Sequence, residues 1–300
     1  MIERLPYHLS QFFRKHSSAG RPLALITVLS TEGSTYSKAG SQMLVNESGD
    51  FQGMLSGGCL EGDLAERSKT IMANGRAEVV SYDLRGDDDV FGLGVGCEGA
   101  LRILIQPLIA AKAYEPFKSF VDTLEDAPHA DLMLADADAE IGVVRLLAPL
   151  RLLILGAGQD TDPLLLFAAT LGWRVWVSDH RPAAVAKLAT HSMAAVACVP
   201  VDEIESHFDL TRFDAVIVKS HNLDADRTYL RILASSPAEF IGLLGPPHRR
   251  ERLLREIGAD ADKLGARLRG PVGQQIGGRG PAAIALEIVA ELQAEFATKN

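Results

Sequence analysis

Two of the three cysteines stand among glycines, in segments whose residue types suit thiol chemistry. Cys59 lies in the run Ser56-Gly57-Gly58-Cys59, directly before an expected helix, and Cys97 lies in the glycine-rich segment 92–99. A helix N-terminus lowers the pKa of a nearby thiol, and glycine lets a bulky group approach the backbone. Both cysteines therefore suit a nucleophile or a soft-metal ligand, with Ser56, Gly57 and Gly58 contacting the bound group. The alternative is that both are buried structural cysteines.

The third cysteine and the overall cysteine pattern indicate free thiols. Cys198 sits in the apolar run 195–199, which predicts a core position. The odd count, without any Cys-x-x-Cys, argues against a disulfide framework or a zinc knuckle. Because the chain also starts without a signal peptide and has no apolar run of roughly 20 residues, we expect a cytoplasmic protein with no membrane anchor.

A second group of chemically suggestive residues surrounds the turn Gly156-Ala157-Gly158. The turn follows an apolar strand and precedes a helix, and Asp179 ends the next strand. This order predicts a Rossmann-type site: Gly156 and Gly158 bring backbone N–H groups to a phosphate, and Asp179 accepts hydrogen bonds from a ribose. Thr161 stands where the fingerprint has Gly or Ala, and we expect it to crowd the helix against the strand. An empty Rossmann fold used for docking is the alternative.

Three further polar residues lie where ligands bind in such folds, beyond the carboxyl ends of the strands. Arg181, two residues past Asp179, suits a ribose phosphate or an adenine, although a solvated arginine explains it equally well. His221 follows an apolar strand and suits a proton carrier or a ligand, with a hydrogen-bonded structural histidine as the alternative. Arg249 begins a helix after another strand and suits an anion, although a basic solvated face explains it equally well.

The elements that position these residues form two groups. In residues 1–124, hydrophobic spacing predicts a mixed α/β domain, with helices over 4–15, 60–73 and 110–124 and strands over 22–29, 42–45, 51–55, 79–82 and 101–105. Residues 125–149, rich in Asp and Ala, are predicted to be a linker. Residues 150–300 alternate strands and helices, which predicts a Rossmann-type parallel sheet. The apolar face of the last helix, from Pro281 to about Phe296, suits the core or a homodimer contact.

Composition limits the classes of partner. The formal net charge is −9, and no basic block offsets it. A nucleic acid or an anionic membrane surface is therefore not expected as a partner. With 300 residues and 47% hydrophobic content, the chain is large enough for two globular domains.

Taken together, the motifs resemble those of the XdhC/CoxI family. The resemblance rests on Gly33 to Gly40 with Met43, on Ser56 to Gly62, on Gly94 to Gly99, and on the Rossmann motifs from Leu155 onward, and it covers nearly the whole chain in order. It implies an accessory chaperone that binds molybdenum cofactor and supports its sulfuration and insertion into a xanthine dehydrogenase-like molybdenum hydroxylase, with a cysteine desulfurase as a second partner. By motif match, Cys59 and Cys97 are then the thiols near molybdenum or the mobile sulfur.

Two other functions stay open from the residues alone. An NAD(P)-dependent oxidoreductase would use Gly156, Gly158 and Asp179, but the first domain offers no clear acid/base set for hydride chemistry. A non-catalytic scaffold would recruit the same partners and keep a vestigial Rossmann site. The nucleotide, NAD(P) or another, is not specified by the motif.

Overall fold

A computed structural model describes residues 3–84, 99–136, 139–188 and 193–297. The chain divides into two compact units, Met1–Ala148 and Pro149–Asn300. In the part of the chain that is described, no helix has the length and the apolar character needed to cross a membrane. Cys97 lies outside the described residues.

The first unit is built on an antiparallel sheet. Its strands are β1 (Leu23–Gly33), β2 (Gln42–Asn46), β3 (Phe51–Gln52), β4 (Glu78–Asp83), β5 (Gly99–Leu108), β6 (His129–Asp136) and β7 (Ala139–Leu147). Its helices are α1 (Tyr7–Ser17), α2 (Glu61–Asn74) and α3 (Phe117–Thr123). Five strands form one sheet in the order β3-β2-β1-β5-β4, and β6 pairs with β7 in a separate hairpin.

The central strand β1 is apolar on both faces because helices cover both. Leu23 and Leu25 face a core shared with α1, α3 and the β6–β7 hairpin. Ala24 and Ile26 face a second core shared with α2. Successive strand side chains point to opposite faces, so one continuous apolar run supplies both cores. The sheet thereby fixes the start of α2, the helix that directly follows Cys59.

The hairpin β6–β7 occupies the segment whose composition predicted a linker over residues 125–149. Ala130, Leu132 and Leu134 alternate along β6 and are buried in the same core as α3. This period of two places every second side chain inward, and burial of that face outweighs the Asp- and Ala-rich composition. The helix predicted over 110–124 is also shorter: a 3-10 turn at Ala110–Lys112 precedes α3.

The second unit has a parallel sheet between two layers of helices. Its strands are β8 (Arg151–Leu155), β9 (Arg174–Asp179), β10 (Ala195–Cys198), β11 (Ala215–Val218), β12 (Phe240–Leu243) and β13 (Leu268–Arg269). Its helices are α4 (Thr161–Thr170), α5 (Pro182–Leu188), α6 (Ile204–His207), α7 (Leu223–Ala234), α8 (Pro247–Ile257), α9 (Asp260–Leu264) and α10 (Pro281–Ala297). The strand order is β10-β9-β8-β11-β12-β13, with parallel pairing throughout.

This order confirms the predicted Rossmann-type sheet and locates its switch point. The chain winds outward from β8 through β9 to β10, then returns to β11 and winds the other way, so the two directions diverge between β8 and β11. Ligands in open α/β sheets bind beyond the carboxyl ends of the strands at such a point. In α10, Ile288, Val289 and Leu292 are buried in the core on the α4 side, so this helix face is core.

The prediction that Cys198 lies in the core is wrong. Cys198 is exposed and ends β10, which is the edge strand of the sheet. Within the apolar run 195–199, Val199 alone is buried, because an edge strand lacks a neighbour on one side.

Candidate functional site

Cys59 lies on the loop that leads into α2, as the sequence predicted. It precedes the helix that begins at Glu61, and its side chain is partly exposed while resting against the core beneath α2. The two preceding glycines are exposed and have left-handed backbones, with φ of 76° at Gly57 and 112° at Gly58. An L side chain adopts such angles only with strain. A Cβ at Gly58 would have no atom within 4 Å, whereas a Cβ at Gly57 would lie 3.3 Å from Tyr36 Cδ2. The open space in this loop is therefore at Gly58.

A buried carboxylate holds this loop in place. Glu61 is 2% exposed, and its Oε1 accepts hydrogen bonds from the backbone N–H groups of Leu55 at 2.7 Å and Ser56 at 2.8 Å. Its Oε2 accepts from Gly58 N–H at 3.0 Å and from the Ser56 hydroxyl. Burial raises the pKa of Glu61, but the hydrogen bonds from Ser56 and Leu55 outweigh it, so the pKa lies below its ordinary value. The charged carboxylate is thus part of the fold.

The hydrogen bonds of Ser56 in the structure lie within the loop itself. Its hydroxyl donates to Glu61 and accepts from Leu60 N–H at 2.7 Å, so both functions of the buried side chain are used inside the loop. The prediction that Ser56 contacts a bound group stays a prediction. What the loop offers to the outside is the partly exposed Cys59 and the open space at Gly58.

A predicted Cys59–Cys97 pair cannot be placed, since Cys97 lies outside the described residues. Over residues 3–84, 99–136, 139–188 and 193–297, no group of three or more His, Cys, Asp and Glu side chains is arranged to hold a metal ion.

In the second unit too, the protein's own side chains accept hydrogen bonds from the N–H groups of the glycine turn. Ala157 N–H donates to Asp179 Oδ2 at 2.7 Å, and Gly158 N–H donates to Thr161 Oγ1 at 3.0 Å. Gly156 has a φ of 125°, and a Cβ there would lie 2.4 Å from the carbonyl oxygen of Lys219. Gly156 is therefore needed for the close approach of two loops at the switch point.

Asp179 is enclosed by its own hydrogen bonds. It is 0% exposed, and it accepts from Arg181 through the backbone N–H at 2.8 Å, Nε at 2.9 Å and Nη2 at 2.7 Å. Burial raises the pKa of Asp179, but the hydrogen bonds from Arg181 and Ala157 outweigh it and hold the pKa below its usual range. A ribose in the usual position would have to displace Arg181, so the predicted contacts of Asp179 and Arg181 with a nucleotide stay predictions.

Lys219 is a residue that the sequence reasoning did not select. It is 1% exposed, and its ammonium donates to Asp160 Oδ1 and Thr161 Oγ1, both at 2.8 Å. Burial lowers the pKa of Lys219, and Asp160 opposes that shift without cancelling it. Thr161 does not crowd the helix as predicted: it is fully buried and accepts hydrogen bonds from both Gly158 and Lys219.

A cavity of about 680 Å³ opens at the carboxyl ends of β8, β11 and β12. Lys219, His221 and Arg249 line it. The His221 side chain is 58% exposed, and its Nε2 lies 3.7 Å from Asp160 Oδ1. Arg249 pairs with the buried Asp226, at 2.7 Å from Nη2 to Oδ2. His221 and Arg249, chosen separately from the sequence, are thus brought together at one cavity.

The remaining walls of the cavity come from later parts of the chain. Apolar side chains include Leu244, Val272 and Ile284, and one carboxylate, Glu287, reaches it from α10. The loop that precedes α10 packs tightly on that helix: a Cβ at Gly273 would lie 3.0 Å from Glu287 Cβ. Pockets with apolar walls and a few convergent polar groups are the usual form of small-molecule sites.

Two family models match this chain. The XdhC and CoxI family model matches residues 16–83, and the XdhC Rossmann domain model matches residues 152–292.

Two curated relatives are similar along most of the chain. A protein of Bacillus subtilis, named as a probable subunit of xanthine dehydrogenase, is 29% identical over 89% of this chain and 91% of its own length. The "Molybdenum cofactor insertion chaperone PaoD" of Escherichia coli is 24% identical over 91% of this chain and 83% of its own length.

A solved structure shares the fold of the whole chain. The crystal structure of a protein described as a xanthine dehydrogenase, from Bacillus halodurans, superposes with a TM-score of 0.80 and 26% identity, covering 97% of this chain and 96% of that one.

Proposed function

This chain belongs to the XdhC and CoxI family, and we propose that it is an accessory protein that carries molybdenum cofactor as cargo to a molybdenum hydroxylase of the xanthine dehydrogenase type. The names of two relatives support this role, since one is called a probable subunit of xanthine dehydrogenase, the other a molybdenum cofactor insertion chaperone. The cargo is a substrate of the protein and leaves with the target enzyme.

The Cys59 loop is the observation that carries the proposal. Cys59 is partly exposed, follows Gly58, which has open space beside it, and stands on a loop held by Glu61. A thiolate is a soft donor and suits a molybdenum centre or a mobile sulfur atom better than a hard oxygen ligand does. In this proposal Cys59 contacts the reactive end of the cargo, and Glu61 positions the loop.

Three finer elements belong to the same proposal. Cys97 acts with Cys59, a cysteine desulfurase supplies the sulfur for a terminal sulfido ligand, and His221 moves protons at the cavity of the second unit. The motif match supports the roles of the two cysteines, and the position of His221 on the cavity supports the third.

The oxidoreductase alternative is poorly supported by the geometry of the second unit. The carboxylate that would hold the ribose accepts three hydrogen bonds from Arg181, and the N–H groups of Ala157 and Gly158 are used internally. We expect no saturable binding of NAD(H) or NADP(H) at millimolar concentration in a calorimetric titration. Tight binding of either would favour the alternative.

The test is the cofactor content of the purified protein. The full chain is produced in a cell that makes molybdenum cofactor and purified without oxygen, and molybdenum and pterin are measured per chain. We expect wild type and Cys198→Ser to carry equal amounts, and Cys59→Ala to carry at least about tenfold less, because losses of even indirect contacts to a metal cost that much. Cys198→Ser is the matched control, since Cys198 is exposed in the other unit.

Two outcomes would contradict the proposal. One is a wild-type protein that carries neither molybdenum nor pterin. The other is a Cys59→Ala protein that carries as much as wild type. The scaffold alternative has a separate signature: the Cys59→Ala/Cys97→Ala double variant would still promote activation of the apo-hydroxylase in a reconstituted mixture.

A further inference from the structure

The cavity of the second unit combines three kinds of surface. Lys219 and Arg249 provide cations, His221 provides an imidazole, Asp160 and Glu287 provide carboxylates, and the walls between them are largely apolar. Its volume of about 680 Å³ lies within the range of roughly 300–1,000 Å³ that small-molecule sites occupy. The cavity therefore suits a flat organic ligand with polar groups on its edge.

Most charges at this cavity already have protein partners. Lys219 donates to Asp160, and Arg249 donates to Asp226. Because each cation is neutralised, the cavity is a weaker anion site than its cations alone suggest. Lys219 still has one of its three N–H donors beyond the two acceptors that the described residues provide.

Glu287 differs from the other carboxylates at the cavity. Its Oε1 accepts one long hydrogen bond, from Gly277 N–H at 3.3 Å, and the described residues give it no cation. A carboxylate has about four acceptor positions on two oxygens and can accept two parallel N–H groups. Glu287 is therefore the cavity carboxylate whose hydrogen-bonding capacity is most available to a ligand, and a ligand that binds it must present hydrogen-bond donors.

The apolar walls restrict the body of such a ligand. Leu244, Val272 and Ile284 line the cavity together with Pro246, Pro271 and Pro281. Branched side chains and proline rings of this kind pack well against the faces of a planar ring, and they add no competing donors or acceptors. A planar heterocycle with adjacent N–H groups on one edge fits both features.

We propose that this cavity binds a 2-amino-4-oxo heterocycle, the edge shared by pterins and guanine, through paired hydrogen bonds from its N–H groups to Glu287. Lys219 then donates its remaining N–H to an acceptor of the same ligand. This inference rests on the proposed function, because a pterin is part of the proposed cargo, and it deepens that function by naming the residue that recognises the pterin.

The test compares ligands that differ at the 2-amino group. Pterin and lumazine share the ring, but lumazine has an oxygen in place of the 2-amino group, and GMP and IMP differ through the same amino group. The full chain is titrated with each, by pterin fluorescence or by calorimetry. We expect pterin to bind about tenfold or more tightly than lumazine, since an oxygen facing a carboxylate loses a charge-assisted hydrogen bond.

Variants test whether Glu287 is the side chain that distinguishes pterin from lumazine. Glu287→Gln keeps an acceptor for Gly277 but loses the charge, and we expect pterin and lumazine to bind it within about twofold of each other. Glu295→Gln is the matched control, because Glu295 lies two turns further along α10, is not at the cavity, and pairs with Arg269. It should keep the wild-type preference.

The results separate this inference from the proposed function. Equal binding of pterin and lumazine, or a preference that survives Glu287→Gln, would overturn it even if the protein carries molybdenum cofactor. Preference for pterin over GMP supports the pterin as the ligand, whereas tighter binding of GMP would overturn that assignment. A preference lost in Glu287→Gln would stand even if Cys59→Ala left the molybdenum content unchanged, in which case the proposed role of Cys59 alone would fail.

Discussion

The Cys59 loop and the Gly156–Gly158 turn invite comparison, since both put glycines and backbone N–H groups before a helix. In each case side chains of the protein itself accept from the N–H groups: Glu61 in the first unit, and Asp179 with the Thr161 hydroxyl in the second. In the first unit, this leaves a partly exposed Cys59 next to the open space at Gly58. In the second, it leaves a buried ammonium, Lys219, at the wall of a cavity.

The comparison shows which groups remain for a ligand when the N–H groups of a glycine-rich loop are already hydrogen-bonded within the protein. An unfilled loop binds anions through its backbone. In a loop whose N–H groups are already hydrogen-bonded within the protein, we expect a neighbouring side chain to carry the function instead. Substitutions in the two loops test this contrast.

The largest effect is expected at the second turn. Gly156→Ala would place a Cβ 2.4 Å from the carbonyl oxygen of Lys219, at a φ of 125°. Overpacking and backbone strain together should lower the free energy of unfolding by about 4 kcal/mol. Both tryptophans, Trp173 and Trp176, lie in the second unit, so urea unfolding followed by tryptophan fluorescence reports on this unit.

The control for this variant separates strain from collision. Gly258→Ala also has a positive φ, 62°, but nothing lies within 4 Å of the added Cβ. It should cost only about 1–2 kcal/mol of strain. Equal losses in the two variants would mean that the loops at the switch point can move apart.

A smaller effect is expected at the first loop. Glu61→Gln keeps the shape of the side chain but turns an amide toward backbone donors that need an acceptor, and an unpaired buried donor costs about 2 kcal/mol. Amide hydrogen exchange of peptides covering residues 50–62 should be roughly 30-fold faster, since each 1.4 kcal/mol is a factor of ten. Glu66→Gln, which removes a surface pair with Lys69, should change it little.

The smallest effect is a pH dependence at Asp179. Its folded pKa lies below the unfolded value, so its contribution to stability is present above about pH 4 and is lost as pH falls through the folded pKa. Arg181→Ala removes the main group that lowers the pKa of Asp179. It should lower the free energy of unfolding by about 1.5 kcal/mol at pH 7 and by less at pH 3. Tryptophan fluorescence during urea unfolding measures both. In an Asp179→Asn background, Arg181→Ala should have little effect; a full effect there would refute the assignment.

Local patterns were sufficient for much of the fold. The period of α2, the glycines before it and the strand–turn–helix order at Gly156 each depend on residues close in sequence, and the structure has these elements in place. The Asp- and Ala-rich composition of residues 125–149 predicted a linker in place of the hairpin β6–β7. The alternation of Ala130, Leu132 and Leu134 was the signal for a strand in this segment.

The candidate sites were less predictable because they depend on contacts between distant residues. Lys219 directly follows β11, the strand next to β8, so the switch-point rule offered a signal for it. Glu287 lines the same cavity as Asp160 and Lys219 only once the chain has folded. Nothing near Glu287 in the sequence indicates that it lies at this cavity. Ser56, Asp179 and Arg181 were predicted to be ligand contacts from their local motifs, whereas their hydrogen bonds in the structure are internal.

The most direct test of the central claim is the alkylation rate of Cys59 in protein loaded with molybdenum cofactor and in protein stripped of it. Digestion and mass spectrometry measure both thiols in one sample, and Cys198 serves as the internal reference because it is exposed on the edge of the other unit's sheet. We expect the cargo to slow labelling of Cys59 by about tenfold or more while Cys198 is unchanged. Equal labelling of Cys59 with and without cargo would contradict the account.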